Sequence, residues 1–451
     1  MSKVVKIKKG LDIKLKGSAE KVLAKATIAE SYAVKPTDFA GLMPKLVVKQ
    51  GDQVKVGTPL FFDKNRPEIM FVSPVSGTVS AINRGERRKL LEVVVTPGTE
   101  QEYEKHNVGN AASLNREELI ALMLKGGVWP FIKQRPYGII ANPSDTPKDI
   151  FISGFDTAPL GVDMDFILTN EAEHFQKGID ILKKLTPNKV HLGVTTGNAA
   201  SGILKKVKGV ESTIFTGPHP AGNVGVHINH IAPINKGEIV WTIDPQLVAL
   251  LGRFFTSGIY NVEKIIAVAG SEVKRPQYFR IITGASLKCI AYNIASENSP
   301  RYISGNVLTG TELSADGFLG FYDNMISVIP EGNHHELFGW AKLFRPKVFS
   351  TSHAYLSFLT PNKKYALDTN LNGGERAFVM TGQYEKVLPM DIYPVYLLKA
   401  ILAEDIDKME QLGIYEVIEE DLALCEFVCT SKTEVQAILR KGIDLMIKEM
   451  S

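Results

Sequence analysis

The chain has 451 residues, 44% of them hydrophobic and 22% charged, which is the composition of an ordinary globular protein. Its net charge of +3 is too small to predict binding to nucleic acid, and its three cysteines are too few for a disulfide framework, which favours a reducing compartment. No apolar run approaches the roughly 18 residues that cross a bilayer, and the N-terminus lacks the apolar core of an export signal. We therefore expect about three domains and no membrane-spanning segment.

The first residues of the chain form a basic arm. Lysines alternate there with apolar residues, at Lys3, Lys6, Lys8, Lys9, Lys14 and Lys16. Such an arm can contact an anionic partner or a membrane surface, although a solvated strand face is the commoner cause of this pattern. The sequence leaves both interpretations open.

Residues 27–100 are predicted to form short strands bounded by glycine and proline, as in "GDQVKVGTPLFF" and "SPVSGTVSAI". Two strand pairs of this kind resemble the half-motif of a biotinyl/lipoyl barrel-sandwich domain. Lipoyl carriers present Asp-Lys-Ala and biotin carriers Met-Lys-Met, whereas Lys64 here lies between Asp63 and Asn65. We expect the scaffold without modification of Lys64.

The next segment, up to about residue 256, alternates helices with strands. "NREELIALMLKGG" predicts a helix that ends at Gly126 and Gly127. "DFILTN" and "KVHLGVTT" are predicted to be buried parallel strands, joined by the helix "AEHFQKGIDILKKL". This alternation indicates an open, Rossmann-like α/β sheet.

Glycine-separated strands follow in "EKIIAVAG", "YFRIITGASL" and "MISVIPEG", which predict a compact β-rich module. The C-terminal part is predicted to be helical, with one helix in "YPVYLLKAILAEDIDKMEQLG" and another after a capping box of Ser431 and Glu434. We place the predicted domains at residues 1–103, 104–256, 257–340 and 341–451.

Two glycine-rich segments, at 124–136 and 216–230, follow the pattern of strand-to-helix turns, but neither contains a recognisable nucleotide-binding motif. His227 and His230 would point to opposite faces if residues 224–231 form a strand, so no zinc site is predicted there. The carboxylates at 419–421 are expected to solvate the surface.

Cys425 and Cys429 form a C-x3-C pair. A pair alone cannot complete a tetrahedral metal site. The pair matches the third and fourth ligands of the ferredoxin run C-x2-C-x2-C-x3-C-P, but Glu419 and Leu422 stand at the first two positions. We therefore expect no working iron–sulfur cluster, and two small side chains that pack a helix start.

Five stretches together carry a family resemblance: "GLDIKLKG", "GPHPAG", "ITGASL", the long block from Gly373 to Glu416, and "LCEFVCTSK". With the order of the predicted domains, they resemble the A-subunit family of sodium-translocating NADH:quinone reductases. The C subunit of Rnf complexes and the flavin-bearing subunit of complex I are similar at greater distance. The resemblance implies an N-terminal barrel-sandwich hybrid, a Rossmann-like α/β sheet, a β-grasp module and a C-terminal helical region.

The resemblance also implies that this chain has lost its cofactors. Flavin-binding relatives have a loop of the form G-R-G-G-A-G-F-P, whereas this chain has Val128 and Trp129 after the glycines, in "KGGVWPF". Of the acidic stretch that follows in those relatives, only Asp156 and Pro159 remain. The implied chain has no catalytic, cofactor-binding or metal-binding residue, and Cys425 and Cys429 are the remnant of a cluster motif.

The implied function is that of a peripheral subunit on the cytoplasmic face of the bacterial inner membrane. Other subunits would carry electrons from NADH through FAD, FMN and an iron–sulfur centre to ubiquinone and couple this to sodium export. If ubiquinone contacts this chain, we expect it near Trp129, Phe131, Arg135 and Tyr137. Those residues could equally fill the old flavin cavity or meet a partner subunit. The alternative function is a stand-alone flavin-dependent NADH dehydrogenase.

Overall fold

The computed structural model describes residues 3–198, 202–295, 300–332, 338–339, 345, 348–351 and 355–450. Strands along these residues are β1 (Lys3–Lys6), β2 (Glu20–Lys25), β3 (Tyr32–Val34), β4 (Pro44–Leu46), β5 (Gln53–Val54), β6 (Pro59–Asp63), β7 (Met70–Val72), β8 (Gly77–Arg84), β9 (Leu90–Pro97), β10 (Lys133–Arg135), β11 (Ile139–Ile140), β12 (Ile150–Ser153), β13 (Val190–Val194), β14 (Glu211–Thr216), β15 (Val240–Thr242), β16 (Glu263–Ala269), β17 (Gln277–Ile282), β18 (Pro300–Ser304), β19 (Thr311–Leu313) and β20 (Met325–Pro330). Helices are α1 (Arg116–Lys125), α2 (Met164–Ile167), α3 (Ala172–Leu185), α4 (Ile203–Lys206), α5 (Val224–Ile231), α6 (Pro245–Ser257), α7 (Tyr384–Val387), α8 (Pro394–Leu402), α9 (Ile406–Gln411), α10 (Glu419–Val428) and α11 (Val435–Met450).

The central sheet has seven strands in the order β1-β14-β13-β12-β15-β10-β11. The first five run parallel, and β10 and β11 are antiparallel to their neighbours. Every residue of β13 is buried, as expected for a parallel strand with both faces covered. Helices α3 and α6 pack so closely at Gly252 that an added Cβ there would lie 1.8 Å from the carbonyl oxygen of His174. Gly252 has no side chain, and this allows the close approach.

Two small sheets, β3-β9-β8-β5 and β4-β6-β7, form the N-terminal sandwich around apolar side chains such as Leu60, Phe61 and Val79. A six-stranded sheet follows in the order β19-β18-β20-β16-β17-β2, whose last strand comes from the N-terminal arm. Helices α7 to α11 complete the chain. These parts confirm the predicted fold class.

Several local predictions were wrong. Residues 165–167 of "DFILTN" belong to α2 rather than to a strand, because the Asp163 carboxylate accepts the backbone N–H of Phe166 and begins a helix. Residues 224–231 form α5. The single helix predicted over 393–413 is two helices, α8 and α9, separated at Glu404, whose φ is 53°.

The predicted capping box is also absent. Helix α11 begins at Val435, and the Ser431 hydroxyl instead donates to the carbonyl of Ala377. The first turn of α11 is capped from a neighbouring helix, since the Glu426 carboxylate accepts the N–H of Gln436.

The N-terminal arm joins separate parts of the molecule before it enters the sandwich. Its strand β1 pairs with β14, Leu15 forms a bridge with Tyr365, and the carbonyl of Gly17 accepts the N–H of Gly270. The arm is therefore held by the central sheet, the C-terminal region and the six-stranded sheet. Within the described part of the chain, every helix is too short or too polar to traverse a bilayer.

Candidate functional site

The segment after α1 is the one that the sequence resemblance compares with the glycine-rich loop of flavin-binding proteins. Helix α1 starts with a reciprocal capping box of Asn115 and Glu118 and ends at Gly126. An added Cβ at Gly126 would lie 2.2 Å from the Phe254 ring, and one at Gly127 would lie 2.6 Å from Val72. These glycines therefore allow the Phe254 ring and the Val72 side chain to pack directly against the backbone.

Trp129, two residues after Gly127, is packed in the core. Its side chain is 0% exposed, and its indole N–H donates to the carbonyl of Ala141 at 2.8 Å. Its ring meets Trp241 edge to face, with centroids 5.4 Å apart. The indole N–H thus has a hydrogen-bond acceptor, and the apolar ring is packed inside the core.

Phe131 belongs to a neighbouring aromatic cluster. Its ring centroid lies 6.3 Å from Tyr260 and 6.0 Å from Phe321. The last two residues border a small cavity of about 10 Å³ that is also lined by Lys35 and Asp38. A volume of that size holds roughly one water molecule. Aromatic walls, an amine and a carboxylate therefore meet at one enclosed point.

The charges at this cavity are paired. The Lys35 ammonium donates to the carbonyl of Phe318 at 3.0 Å and lies 3.3 Å from the Asp38 carboxylate. That carboxylate also accepts the N–H of Phe321. Burial raises the pKa of Asp38 to about 6, and Lys35 opposes the rise.

Arg135 lies outside the aromatic cluster, in a buried charge clamp. Its guanidinium contacts the Asp421 carboxylate at 2.5 Å and the Glu420 carboxylate at 2.6 Å, so it joins β10 to α10. Burial works to lower the pKa of Arg135, but the two carboxylates outweigh it and raise the pKa. Gly225 of α5 packs directly on this clamp, since a Cβ there would lie 2.1 Å from Asp421 Oδ1.

Tyr137 is half-buried and occupies a third environment. Its ring centroid is 6.2 Å from Tyr415, and its carbonyl accepts from the Arg440 guanidinium. The four residues predicted to lie near a quinone are therefore distributed over the tryptophan pair, the aromatic cluster, the charge clamp and this tyrosine pair. They do not converge on one open pocket.

The charge clamp corrects the prediction that residues 419–421 solvate the surface. Asp421 is only 2% exposed, and Glu419 is held by the Arg440 guanidinium. No spacing in the sequence signals this clamp, because Arg135 lies 286 residues from Asp421. The run of three carboxylates at a helix start suggested only a favourable interaction with the helix dipole.

The positions of the ferredoxin-like run do not fit an iron–sulfur cluster. Leu422 lies in the core with 0% exposure, and Glu419 is bound to Arg440. Cys289 lies in another part of the fold, in the short turn Leu287–Asn293, where its carbonyl accepts the N–H of Thr27. Within the described residues, no three His, Cys, Asp or Glu side chains converge as metal ligands would.

Cys425 and Cys429 are packed differently from the prediction. They lie at the C-terminal end of α10, not at a helix start, and both are buried. Burial raises the pKa of the Cys425 thiol. It would do the same at Cys429, but hydrogen bonds from the Tyr384 hydroxyl at 2.9 Å and the Thr433 N–H at 3.3 Å outweigh it and lower the pKa.

The histidines of the second glycine-rich segment are also buried in packed surroundings. The His227 ring stacks on Phe215 at 4.0 Å, and its Nε2–H donates to the carbonyl of Ala221. His219 Nδ1 lies 3.1 Å from the Thr157 hydroxyl. Burial lowers the pKa of both histidines to about 4, so they are neutral in the folded protein near pH 7.

Comparison with known proteins assigns three parts of this chain to related domains. Residues 5–98 match the NqrA N-terminal barrel-sandwich hybrid domain, residues 114–260 the NqrA second alpha/beta domain, and residues 265–315 the NQRA C-terminal domain. The three matches follow one another along the chain in the order of its sandwich, its central sheet and its six-stranded sheet.

Full-length relatives share one name, that of the A subunit of the Na(+)-translocating NADH-quinone reductase. The relative from Neisseria meningitidis Z2491 is 38% identical and aligns over 99% of this chain and 100% of its own length. The relative from Yersinia pestis bv. Antiqua Angola is 39% identical, over 97% and 98%. A crystal structure of a NAD+-reducing [NiFe]-hydrogenase in the H2-reduced state aligns with 76% of this chain and 62% of its own at 12% identity, but its TM-score of 0.39 is too low to support an argument.

Proposed function

Because the chain belongs to the A-subunit family of Na+-translocating NADH-quinone reductases, we propose that it serves this reductase without a flavin or iron–sulfur centre of its own. It is a subunit of a membrane respiratory complex, with the other subunits of that complex as its partners. Electron transfer from NADH to ubiquinone then takes place on groups that those subunits hold. The membership sets aside the stand-alone dehydrogenase.

The packing of Trp129 is the observation that carries this proposal. The backbone at Gly126 and Gly127 packs against Phe254 and Val72, and Trp129, two residues further on, is fully buried and hydrogen-bonded to Ala141. Removing a buried tryptophan costs roughly 3–5 kcal/mol, so a flavin that displaced the indole would have to outweigh that loss. At the cluster remnant, Leu422 offers no ligand atom.

Absorbance and metal content of the purified full chain test the first proposal. We expect no flavin band and no iron after incubation with FMN, FAD, iron and sulfide followed by gel filtration. Trp129→Ala removes the buried indole and is the matched variant, which we would examine for weak flavin binding. A stoichiometric flavin or iron content in the wild-type chain would contradict the proposal.

We further propose that ubiquinone contacts this chain at the cavity lined by Lys35, Asp38, Tyr260 and Phe321. A quinone ring needs aromatic walls and a donor to its carbonyl oxygen, and Lys35 supplies the donor. Of the quinone-proximal residues predicted from the sequence, Phe131 adjoins these walls, whereas Trp129, Arg135 and Tyr137 lie in other surroundings. The enclosed volume requires the side chains to separate as the ring enters.

Calorimetric titration of the full chain with a short-chain ubiquinone tests the second proposal. We expect saturable binding that Lys35→Met weakens about tenfold, the effect of one lost hydrogen bond to a charged donor. Lys64→Met, at an exposed lysine in the same domain, is the control and should bind like the wild type. Phe131→Leu gives a second measure that leaves the charges in place. Equal binding by all four proteins would move the site elsewhere.

A further inference from the structure

The basic arm has a regular inner and outer side. Ile13 and Leu15 are buried, while Lys14 and Lys16 between and beyond them are exposed. Successive residues of an extended backbone point to opposite sides, so the two apolar side chains anchor the arm and the two lysines point away from the core. The prediction of a solvated strand face accounts for this alternation, but not for what lies next to the lysines.

A loop from the C-terminal region lies against this part of the arm. The Tyr365 N–H donates to the carbonyl of Lys14 at 2.8 Å, and the Lys16 N–H donates to the carbonyl of Tyr365 at 2.9 Å. The Lys14 ammonium also donates to the carbonyl of Pro361 at 2.8 Å. The arm and the loop are therefore parts of one surface.

The loop brings two large apolar side chains to that surface. Phe358 and Leu359 lie in the short turn Leu356–Leu359 and are 47% and 64% exposed. Lys363 and Lys364 follow them and are exposed as well. We call this set the arm–loop surface; its residues are Lys14, Lys16, Phe358, Leu359, Lys363 and Lys364.

Three lysines of the arm–loop surface carry uncompensated charge. Between residues that the structure describes, no carboxylate forms an ion pair with Lys14, Lys16 or Lys364. Lys8 and Lys9 extend the same positive charge along the arm. Exposed apolar side chains next to several such lysines are the combination found where proteins lie on a membrane surface.

We propose that the arm–loop surface docks on the anionic lipid headgroups of the membrane that holds the rest of the complex. This rests on the proposed function, in which the chain is a peripheral subunit. Lipid phosphates would neutralise the lysines, and the acyl boundary would take up Phe358 and Leu359. Lysine ammoniums are flexible point charges, which suit a fluid array of headgroups better than the fixed geometry of a protein partner.

Co-sedimentation of the purified full chain with lipid vesicles tests this proposal. We expect binding to vesicles of three parts phosphatidylcholine to one part phosphatidylglycerol, weakened by raising the salt from about 0.1 M to about 1 M, and little binding to pure phosphatidylcholine. Each basic residue near an anionic surface contributes about fivefold to partitioning, so Lys14→Glu/Lys16→Glu should reduce binding by at least about 25-fold.

Two further variants separate charge from apolar contact. Lys89→Glu/Lys441→Glu makes the same change in net charge at exposed lysines of other elements and should bind within about twofold of the wild type. Phe358→Ser/Leu359→Ser should lower binding about tenfold while its salt dependence persists. Circular dichroism and thermal melting establish that each variant is folded.

Equal binding by the Lys14→Glu/Lys16→Glu and Lys89→Glu/Lys441→Glu variants would overturn the proposal. Absence of wild-type binding to anionic vesicles would also overturn it. If Lys14→Glu/Lys16→Glu then blocked assembly with the other subunits, the surface would be a protein interface. Flavin and iron content are measured independently of vesicles, so the proposed function can stand where lipid docking fails.

Discussion

The segment after α1 and helix α10 are the two regions that the sequence resemblance compares with a flavin loop and a cluster motif, and their cores are built in opposite ways. The first is filled by volume, with Trp129 packed on Trp241. The second is filled by charge, with Glu420 and Asp421 bound to Arg135 and only Leu422 entering the core. One region thus depends on apolar packing and the other on buried ion pairs, so the two should respond differently to substitution.

Removal of the central side chain should destabilise both regions by similar amounts. We expect Trp129→Ala and Arg135→Met each to lower the free energy of unfolding by roughly 3–5 kcal/mol, the first through a cavity and the second through a buried carboxylate without its partner. Chemical denaturation, followed by fluorescence and circular dichroism, measures both.

A second substitution then separates the two regions. Arg135→Met/Asp421→Leu should recover much of the loss, because it removes the unpaired charge, whereas enlarging Ala141 cannot restore the indole that Trp129→Ala deletes. If the double variant is no more stable than Arg135→Met, the second region does not depend on charge pairing.

Low pH should next destabilise the central sheet, through a buried histidine of α5. His227 of α5 has a folded pKa of about 4, below its unfolded value near 6.5, so its stabilisation is complete above pH 6.5 and is lost as the pH falls to 4. The loss should reach roughly 3 kcal/mol. Hydrogen exchange read by mass spectrometry should show the central sheet weakening, and His227→Phe, which keeps the stacking on Phe215, should flatten that dependence. An unchanged slope in this variant would exclude His227 as the cause.

The two cysteines should respond unequally to serine. Cys425→Ser puts a hydroxyl at a buried site where the thiol donates to the Tyr384 carbonyl at a long 3.9 Å, too far for a hydroxyl, and should cost roughly 1–3 kcal/mol. At Cys429 a serine hydroxyl can still accept from Tyr384, so Cys429→Ser should cost less than about 1 kcal/mol. Thermal melting of both variants checks the order, and the reverse order would mean that Cys429 provides packing that a hydroxyl cannot replace.

The smallest effect is expected at the outer carboxylate of α10. Glu419 and Arg440 are both partly exposed, so Glu419→Gln should change the free energy of unfolding by at most about 1 kcal/mol. Equilibrium denaturation at low and high salt measures the difference. A loss comparable with that of Arg135→Met would extend the clamp beyond its buried part.

Local patterns were sufficient to predict much of the fold. Helix α3, the buried strand β13 and the strands β16 and β20 follow from periodicity and glycine placement. The errors fall where one side chain or one backbone angle decides: Asp163 caps α2, and Glu404 separates α8 from α9. A pattern over several residues does not register such a single contact.

The candidate site was harder to predict, because its contacts are distant in sequence. Trp129 was noticed as a large residue that follows two glycines, but its partners Ala141 and Trp241 could not be inferred from the sequence. The pairing of Arg135 with Asp421 depends on β10 meeting α10 in three dimensions. A solvated carboxylate and a buried one have the same local sequence, so only the assembled fold distinguishes them.

The N-terminal arm also determines the order in which the molecule can be completed. Its residues leave the ribosome first, yet β1 needs β14 as its neighbour, and Gly10 and Leu15 need Lys386 and Tyr365. During synthesis the arm must therefore wait for almost four hundred later residues, about half a minute at roughly 15 residues per second. A segment made hundreds of residues before its partners is therefore among the last to find its native contacts.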